Sequence, residues 1–592
     1  MSIVKQIKPL VTKALKELYN FDIDENDLTI NATKPEFEGD YTLVLFSLVK
    51  SIKKSPEQIG KELGGHLTGQ HATLFHSYNV IKGFLNLTIS NDYWVNFLQT
   101  NFLATQFGTK PSNGIRVIVE YSSPNTNKPL HLGHLRNIFL GWSVAEILKA
   151  NGYEVFKTCV VNDRGIHICK SMLGWQFFGN GQTPESTHTK GDHFVGNYYV
   201  KFDQEYKKEI AGLIAKGSSQ EQAEKDAPIM VATQQMLLDW EAGKSEVIDL
   251  WKKMNHWVYE GFDVTYARIG ADFDKIYYES DTYIQGKKFV EEGLNKKVFF
   301  RKEDGSIWID LTAQGLDEKL VLRKDGTSVY ITQDLGLADE KYKDFQYAQS
   351  IYIVGDEQNY HMNVLKLTLQ KLGKPYADGI FHLSYGMVDL PTGRMKSREG
   401  TVVDADELVD EMIGISAKHT EELGKVSGFT EAELDDLYDT IGLGALKFYL
   451  LRVDPKKRML FNPEESIDFH GFTGPFIQYT HARIKSILRK EKAEPTYKLQ
   501  SPELLPGEKE LIILLEQYPT ILEQAAEEHN PSVIAIYIFT VAKTYNTFYA
   551  EHSVMSAESA DKKQLRLQLS EMAANVICAA MHLLGIKVPE RM

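Results

Sequence analysis

Apolar residues recur at helical spacing from the first turns of the chain. Val4, Ile7, Leu10, Val11, Leu15 and Leu18 fall three or four apart, which predicts an amphipathic helix. The stretch "DYTLVLFSLVKSI" (40–52), a helix near 56–64 and a strand at "GFLNLTIS" (83–90) complete a small α+β unit over residues 1–110. The turn-rich "GTKPSNG" (108–114) marks its boundary. Next comes "IRVIVEY" (115–121), β-branched and apolar as a buried strand should be. "HLRNIFLGWSVAEILKANG" (134–152) has helical periodicity and ends in Asn-Gly, a stop signal. "YEVFKTCVV" (153–161) is a second strand. Strand, helix and strand in that order predict a parallel pair with a right-handed crossover. "SIYIVGD" (350–356) and "GIFHLSYGMVDL" (379–390) supply further strands of the same sheet. A polar, mostly helical stretch at about 170–265 reads as an insertion into this α/β domain of residues 111–403. Residues 404–436 form an acidic connecting segment, and 437–592 carry long amphipathic helices with no strand signal, an all-α domain. There is no internal repeat.

The chain has 592 residues, of which 43% are hydrophobic and 25% charged. That length suggests roughly three to five domains. Its three cysteines, Cys159, Cys169 and Cys578, are too few and too scattered for a disulfide framework or a zinc cage, so a reducing compartment is expected and zinc is not. The N-terminus lacks the uninterrupted apolar stretch of a signal peptide, and no window offers the ~18 apolar residues of a membrane span. A cytoplasmic protein with no membrane partner is the expectation. The net charge of −14 weighs against nonspecific nucleic-acid binding, which runs on phosphate neutralisation. It leaves room for a nucleic acid held by local basic patches.

The chemistry concentrates in "SSPNTNKPLHLGHLRN" (122–137), where a strand hands over to a helix. Ligands of an open parallel sheet bind at the carboxyl ends of its strands. A helix N-terminus there presents free N–H groups and partial positive charge, which suits phosphate. Gly133 permits close approach to the backbone, and His131 and His134 can donate to phosphate oxygens. Arg136 adds charge or makes a structural ion pair. "GKS" at 243–245 is not a phosphate loop, because Leu238 stands where such a loop needs glycine.

With Glu120 and Tyr121 before it, this stretch resembles the signature E-Y-S-S-P-N-x-x-K-P-x-H-x-G-H-L-R of the arginyl-tRNA synthetases, a class I aminoacyl-tRNA synthetase family. Other matches follow in family order: "NDRGIH" (162–167), "YITQDLGLADEKY" (330–342), "VGDEQNYH" (354–361), "GRMKSREGTVV" (393–403), "GALKFYLLR" (444–452), "FTGPFIQYTHARI" (472–484) and the terminal "PERM". The resemblance implies a Rossmann-like catalytic domain, an N-terminal domain that meets the tRNA elbow and a C-terminal anticodon-binding domain. It also implies ATP-dependent attachment of L-arginine to tRNA(Arg) through an arginyl-adenylate.

By the same carry-over, Tyr330, Asp334 and Glu279 hold the guanidinium, a planar cation with five donors that needs carboxylates and a flat aromatic wall. Ser123, Asn125 and Gln358 meet the α-amino and carboxylate end, with Glu120 in support. His131, Gly133 and His134 bind ATP together with Met395, Lys396 and Ser397 of the second phosphate loop. That loop departs from the usual K-M-S-K-S, since Ser397 replaces its second lysine. Lys396 and Arg398 flank the gap, and Lys128, just before the first motif, resembles the lysine found in family members with this departure. Mg²⁺ accompanies ATP, and no protein ligand for a metal is assigned. For tRNA the resemblance points to Phe84 and Asn86 in the N-terminal domain, and to Tyr479, Arg483, Lys485 and Met592 in the helical domain. His481, Arg483, Lys485, Arg489, Lys490 and Lys492, with "DPKKR" (454–458), are expected to form a positive face. A monomer with no DNA partner is expected. One cleft should hold both the imidazoles and the anionic slot. The rivals are a small nucleotidyltransferase, a class I synthetase for cysteine or glutamate, and an inactive RNA-binding paralogue.

Overall fold

The computed structural model describes residues 2–34, 36–283, 286–389, 403–422, 428–500 and 503–592. The first helix, Ile3–Tyr19, is capped by the Ser2 side chain. It buries Ile3, Ile7, Val11, Ala14 and Leu15, so its inner face is rotated from the one expected, and Leu18 stays exposed. "DYTLVLFSLVKSI" divides into strand Tyr41–Val44 and helix Phe46–Ile52. The helix expected near 56–64 continues to Gln70, through glycines that mask its periodicity. These helices cover an antiparallel sheet in the order Ile30–Ala32, Tyr41–Val44, Phe84–Ile89, Phe75–Ile81.

The central sheet has five parallel strands: β1 Arg116–Glu120, β2 Glu154–Val161, β3 Lys275–Tyr278, β4 Gln349–Gly355 and β5 Ile380–Tyr385. Their order is β5-β4-β1-β2-β3. Four of them stand where the hydrophobic runs predict; β3 is a short edge strand that the pattern does not announce. The crossover helix, Leu132–Ala150, starts two residues before the expected 134. It is apolar nearly all round because sheet and helical domain cover opposite sides of it, and Gly141 lets it sit close to β1, where an added Cβ would lie 2.4 Å from Tyr121. Strand order reverses at β1, and such a switch point opens a crevice beyond the carboxyl ends of the strands.

Between β2 and β3 lies the helical insertion, chiefly helices Ile166–Phe178, Gly191–Ala215, Pro228–Glu241 and Ser245–Ile269. A second insertion, before β4, carries a three-stranded antiparallel sheet, Phe299–Arg301, Ile307–Ile309 and Lys319–Leu322. Its strands are too short to leave a periodic signature. The acidic connecting segment is largely helix, Ala405–Glu422, which turns Leu408, Val409 and Met412 inward and packs along helix Glu431–Leu451. Helices Gly474–Lys490, Pro506–Glu516, Tyr518–Glu527, Pro531–Glu551 and Ala560–Leu583 follow. Arg136 is buried and donates to the carbonyls of Pro455 and Lys457; it fastens the crossover helix to the "DPKKR" loop and is structural. Among the described residues no helix is long and apolar enough to cross a membrane.

Candidate active site

β1 ends in unusual backbone. Ser122 and Ser123, consecutive and neither of them glycine, have φ of 76° and 46°, a left-handed conformation that costs of order 1–3 kcal/mol per residue unless its surroundings enforce it. Here they do. Ser122 N–H donates to Asn137 Oδ1 at 2.6 Å, and Ser122 Oγ lies 2.7 Å from the Tyr266 hydroxyl. The chain then pairs with the end of β2 through Thr126 N–H to Asn162 O and Asn162 N–H to Pro124 O.

This turn delivers the two histidines to the start of the crossover helix. His131 is its N-cap: Nδ1 accepts from Gly133 N–H at 3.1 Å. His134 Nδ1 accepts in turn from His131 N–H, also at 3.1 Å. With each Nδ1 occupied as an acceptor, a neutral ring must carry its proton on Nε2. Burial, then the Lys128 charge, pushes the His131 pKa down to about 4. Burial, then His131 and Lys128, holds His134 well below the ordinary imidazole value. Both rings are therefore neutral near pH 7 and each offers one Nε2–H donor. A Cβ at Gly133 would press within 3.0 Å of the His131 ring, so this glycine makes room for the imidazole as well as for a ligand.

All seven residues expected around arginine line one cavity of about 520 Å³: Glu120, Ser123, Asn125, Glu279, Tyr330, Asp334 and Gln358. Three carboxylates and a mostly exposed tyrosine ring face one space. Tyr330 opens helix Tyr330–Phe345 and Asp334 stands one turn further on. Glu279 opens the short helix Glu279–Thr282 at the end of β3. Burial pushes its pKa up to about 7; Arg164 opposes this and Asp334 adds to it.

Three partners of these residues went unread in the sequence. His361 Nε2 lies 2.5 Å from Asp334 Oδ2 and also lines the cavity; the hydrogen bond raises the imidazole pKa. Lys341 is buried and paired with Glu120, over the Tyr352 ring, and burial pulls its pKa down to about 7. Asp163 of "NDRGIH" is buried and accepts from Ser280 N–H at 2.9 Å, Ser280 Oγ–H at 2.7 Å and Tyr259 O–H at 3.0 Å, which pins the turn carrying Glu279. All three stand inside quoted motifs, "VGDEQNYH", "NDRGIH" and "YITQDLGLADEKY", but nothing local in those motifs marks what each side chain touches.

Among the described residues, His131 and the seven residues expected around arginine line two different cavities with no lining residue in common, rather than the single cleft expected. The second, of about 370 Å³, is lined by Lys128 and His131 among others. Segment 122–131 serves both, with Ser123 and Asn125 toward the first and Lys128–His131 toward the second. Met395, Lys396, Ser397 and Arg398 lie outside the described residues.

Phe84 and Asn86 share one face of their strand and line an N-terminal groove of about 290 Å³ with Phe37. Asn86 is buried and bonded to Thr42 and Asn79. Tyr479 and Met592 meet in one apolar cluster with Phe429, Leu437, Ile441 and Phe469. Arg483 lies over the Tyr479 ring, 4.9 Å from its centroid, and donates to Asn546 at 2.6 Å. Of the expected positive face, Arg489, Lys490, Lys492, Lys456, Lys457 and Arg458 are exposed, and His481 needs correction. His481 is buried, its pKa lowered by that burial, with Nδ1 2.9 Å from Pro589 O. Lys485 pairs with Glu590 at 3.5 Å and Arg458 with Asp389 at 3.1 Å.

Three family models match the chain: "tRNA synthetases class I (R), catalytic domain" over residues 98–462, "DALR anticodon binding domain" over 477–592 and "Arginyl tRNA synthetase N terminal domain" over 5–89. Arginine–tRNA ligases of Flavobacterium psychrophilum and Amoebophilus asiaticus are 53% and 52% identical to it, with 100% of each chain covered. The chain belongs to the arginyl-tRNA synthetase family. The arginyl-tRNA synthetase of Thermus thermophilus has the same fold, with TM-score 0.81, 24% identity and full coverage of both chains. That of Plasmodium falciparum matches with TM-score 0.74 at 18% identity, over 100% of this chain and 99% of the other. As an arginyl-tRNA synthetase family member, the chain attaches arginine to tRNA.

Proposed function

We propose that this enzyme joins L-arginine to the 3′ end of tRNA(Arg) at the expense of ATP, with the Glu120–Asp334–Glu279 cavity as the arginine site. The arrangement that carries the reading is three carboxylates and Tyr330 around one cavity of about 520 Å³. A guanidinium brings five donors in a plane and a lasting positive charge; Glu279 and Asp334 match the donors and Tyr330 the plane. A site built on matched hydrogen bonds rejects analogues lacking them by ~10⁴–10⁵-fold. Lysine has no planar fork to offer it. Ser123, Asn125 and Gln358 take the α-amino and carboxylate end.

In the first step the arginine carboxylate attacks the α-phosphorus of ATP and pyrophosphate leaves. The carboxylate is already a nucleophile, so the protein's contribution is positioning and charge stabilisation. The neutral imidazoles of His131 and His134 donate Nε2–H to phosphate oxygens. Lys128, with Lys396 and Arg398 of the second loop, offsets the charge on the leaving pyrophosphate, and Mg²⁺ enters with ATP as part of that substrate. In the second step a terminal ribose hydroxyl of tRNA attacks the activated carbonyl, which releases AMP. Phe84 and Asn86 meet the tRNA elbow; Tyr479, Arg483, Lys485 and Met592 meet the anticodon loop, where stacking on splayed bases reads single-stranded RNA. The enzyme acts in the cytoplasm as a monomer, without a DNA partner.

Pyrophosphate exchange and tRNA charging, run with each amino acid and with or without total tRNA, test the reading. Charging that depends on arginine supports it. Charging with lysine, or no charging with any amino acid, overturns it.

A further inference from the structure

Beside His131 lies a charged cluster that no step above uses. His193 stands in the first turn of helix Gly191–Ala215, in the insertion. Its Nε2 is 3.0 Å from Asp404 Oδ2 and 3.5 Å from Asp406 Oδ2. Asp404 does two other things. Its Oδ1 accepts from Asp406 N–H at 2.9 Å and Glu407 N–H at 3.2 Å, which caps helix Ala405–Glu422. Its backbone faces His131 across an isolated antiparallel bridge, closed by Leu132 N–H to Val403 O at 3.1 Å and Ala405 N–H to Leu130 O at 3.0 Å. One aspartate thus joins the insertion, the connecting helix and the N-cap histidine of the crossover helix.

The cluster has the ligand types of a cation site, but protein charge already fills it. Lys190 Nζ lies 2.6 Å from Asp406 and 3.1 Å from Asp192, and Thr265 donates to Asp406 at 3.1 Å. An ammonium at that distance repels a metal ion. The alternative is mechanical. The His131 ring is aimed by its backbone, because its Nδ1 is tied to Gly133 N–H two residues on. Whatever fixes the 130–132 backbone therefore fixes the direction of Nε2–H. His193, Asp404 and His131 line the same cavity of about 370 Å³, so the contact lies at the ATP side and away from the arginine carboxylates.

We propose that His193 is a positioning residue for adenylate formation: it holds Asp404, and the Asp404 backbone holds His131 in its donating orientation. The inference rests on the reading of His131 as a phosphate donor. Misplacement of a reacting group by about 1 Å costs up to ~100-fold in rate, which sets the scale of the effect.

The test compares His193→Ala, His193→Gln and His131→Ala in full-length enzyme, with ATP kinetics in charging assays and arginine affinity by calorimetry. His193→Ala should lower kcat/KM for ATP by about 10- to 100-fold and leave the arginine Kd within about twofold. His193→Gln, which keeps a neutral donor of similar reach, should recover much of the loss. His193→Ala with wild-type ATP kinetics, or with ATP and arginine parameters falling together, overturns the proposal, as does His193→Gln behaving like His193→Ala. Should His193→Ala fail to fold, His193→Gln decides: near-normal ATP kinetics there with normal arginine affinity upholds the role, and equal losses of both refute it. His131→Ala separates the two layers. If it leaves ATP kinetics unchanged, the reading of His131 itself fails; if it is impaired while His193→Ala is not, only the present inference fails.

Discussion

The sharpest consequence of the site concerns Glu279 and pH. Burial first, and then Asp334 and Asp163, hold this carboxyl's pKa up to about 7 against the opposing Arg164 charge. A guanidinium bound there adds a positive charge and favours the ionised form. Arginine binding must therefore expel a proton from Glu279 at pH values below about 7. The sign follows directly: affinity is full above that pH and is lost as pH falls through it. With a pKa of about 7 in the free enzyme, holding Glu279 ionised at pH 6 costs about 1.4 kcal/mol. The arginine Kd should thus be about tenfold weaker at pH 6 than at pH 8. Calorimetry in buffers of differing ionisation enthalpy should report about half a proton released per arginine at pH 7. Glu279→Gln removes the titrating group: binding should weaken by about 1.5–3 kcal/mol, the value of a hydrogen bond to a charged group, and the proton release should largely disappear. His361 leaves a smaller residue of pH dependence, since its imidazolium competes with arginine for Asp334. A wild-type Kd that is flat between pH 6 and 8, or a Glu279→Gln enzyme with the full slope, refutes the reasoning.

Other outcomes follow from the same geometry. Asp334→Ala should raise the arginine KM by about 10- to 100-fold, from the loss of a charged hydrogen-bond partner, and leave the ATP KM nearly unchanged; equal effects on both would remove Asp334 from the specificity role. Asp163→Ala should act at one remove, because Ser280 and Tyr259 lose their acceptor and the turn bearing Glu279 loosens; arginine affinity should fall while ATP kinetics hold. Lys341→Met strands a buried Glu120 carboxylate and should cost about 3–5 kcal/mol in urea unfolding, with the added change Glu120→Gln returning much of it. Stability unchanged in the single variant would show that the pair is not buried as described.

How much of this was legible in the sequence depends on the scale of the feature. Four of the five central strands announce themselves as apolar runs, because strands covered on both faces have no polar alternation to hide behind. The short edge strand Lys275–Tyr278 and the three-stranded sheet of the second insertion do not, since three or four residues hold too few periods to recognise. The seven residues expected around arginine were named by motif resemblance, and the fold brings them to one cavity. Their partners were not foreseen, because neither a lysine that becomes buried nor a histidine in the next motif carries a local mark of what it touches. His481 was misplaced in the positive face of the anticodon-binding domain for a related reason: sequence proximity counts it as surface, while the helix turns it inward to Pro589.

The chain's own pattern determined the class of fold, the order of its units, the strand-to-helix turn with its two histidines and the family. Those depend on local periodicity and on residues close together in sequence, where 3.6- and 2-residue repeats and backbone capping act. Tertiary structure alone decided that Glu279 is half-buried among other carboxylates, that Glu120 is matched by Lys341, that Asp334 already has an imidazole partner and that Asp404 stands behind His131. Each of these is a matter of desolvation and of charges brought within a few ångströms, and both arise only when segments tens to hundreds of residues apart are folded against one another.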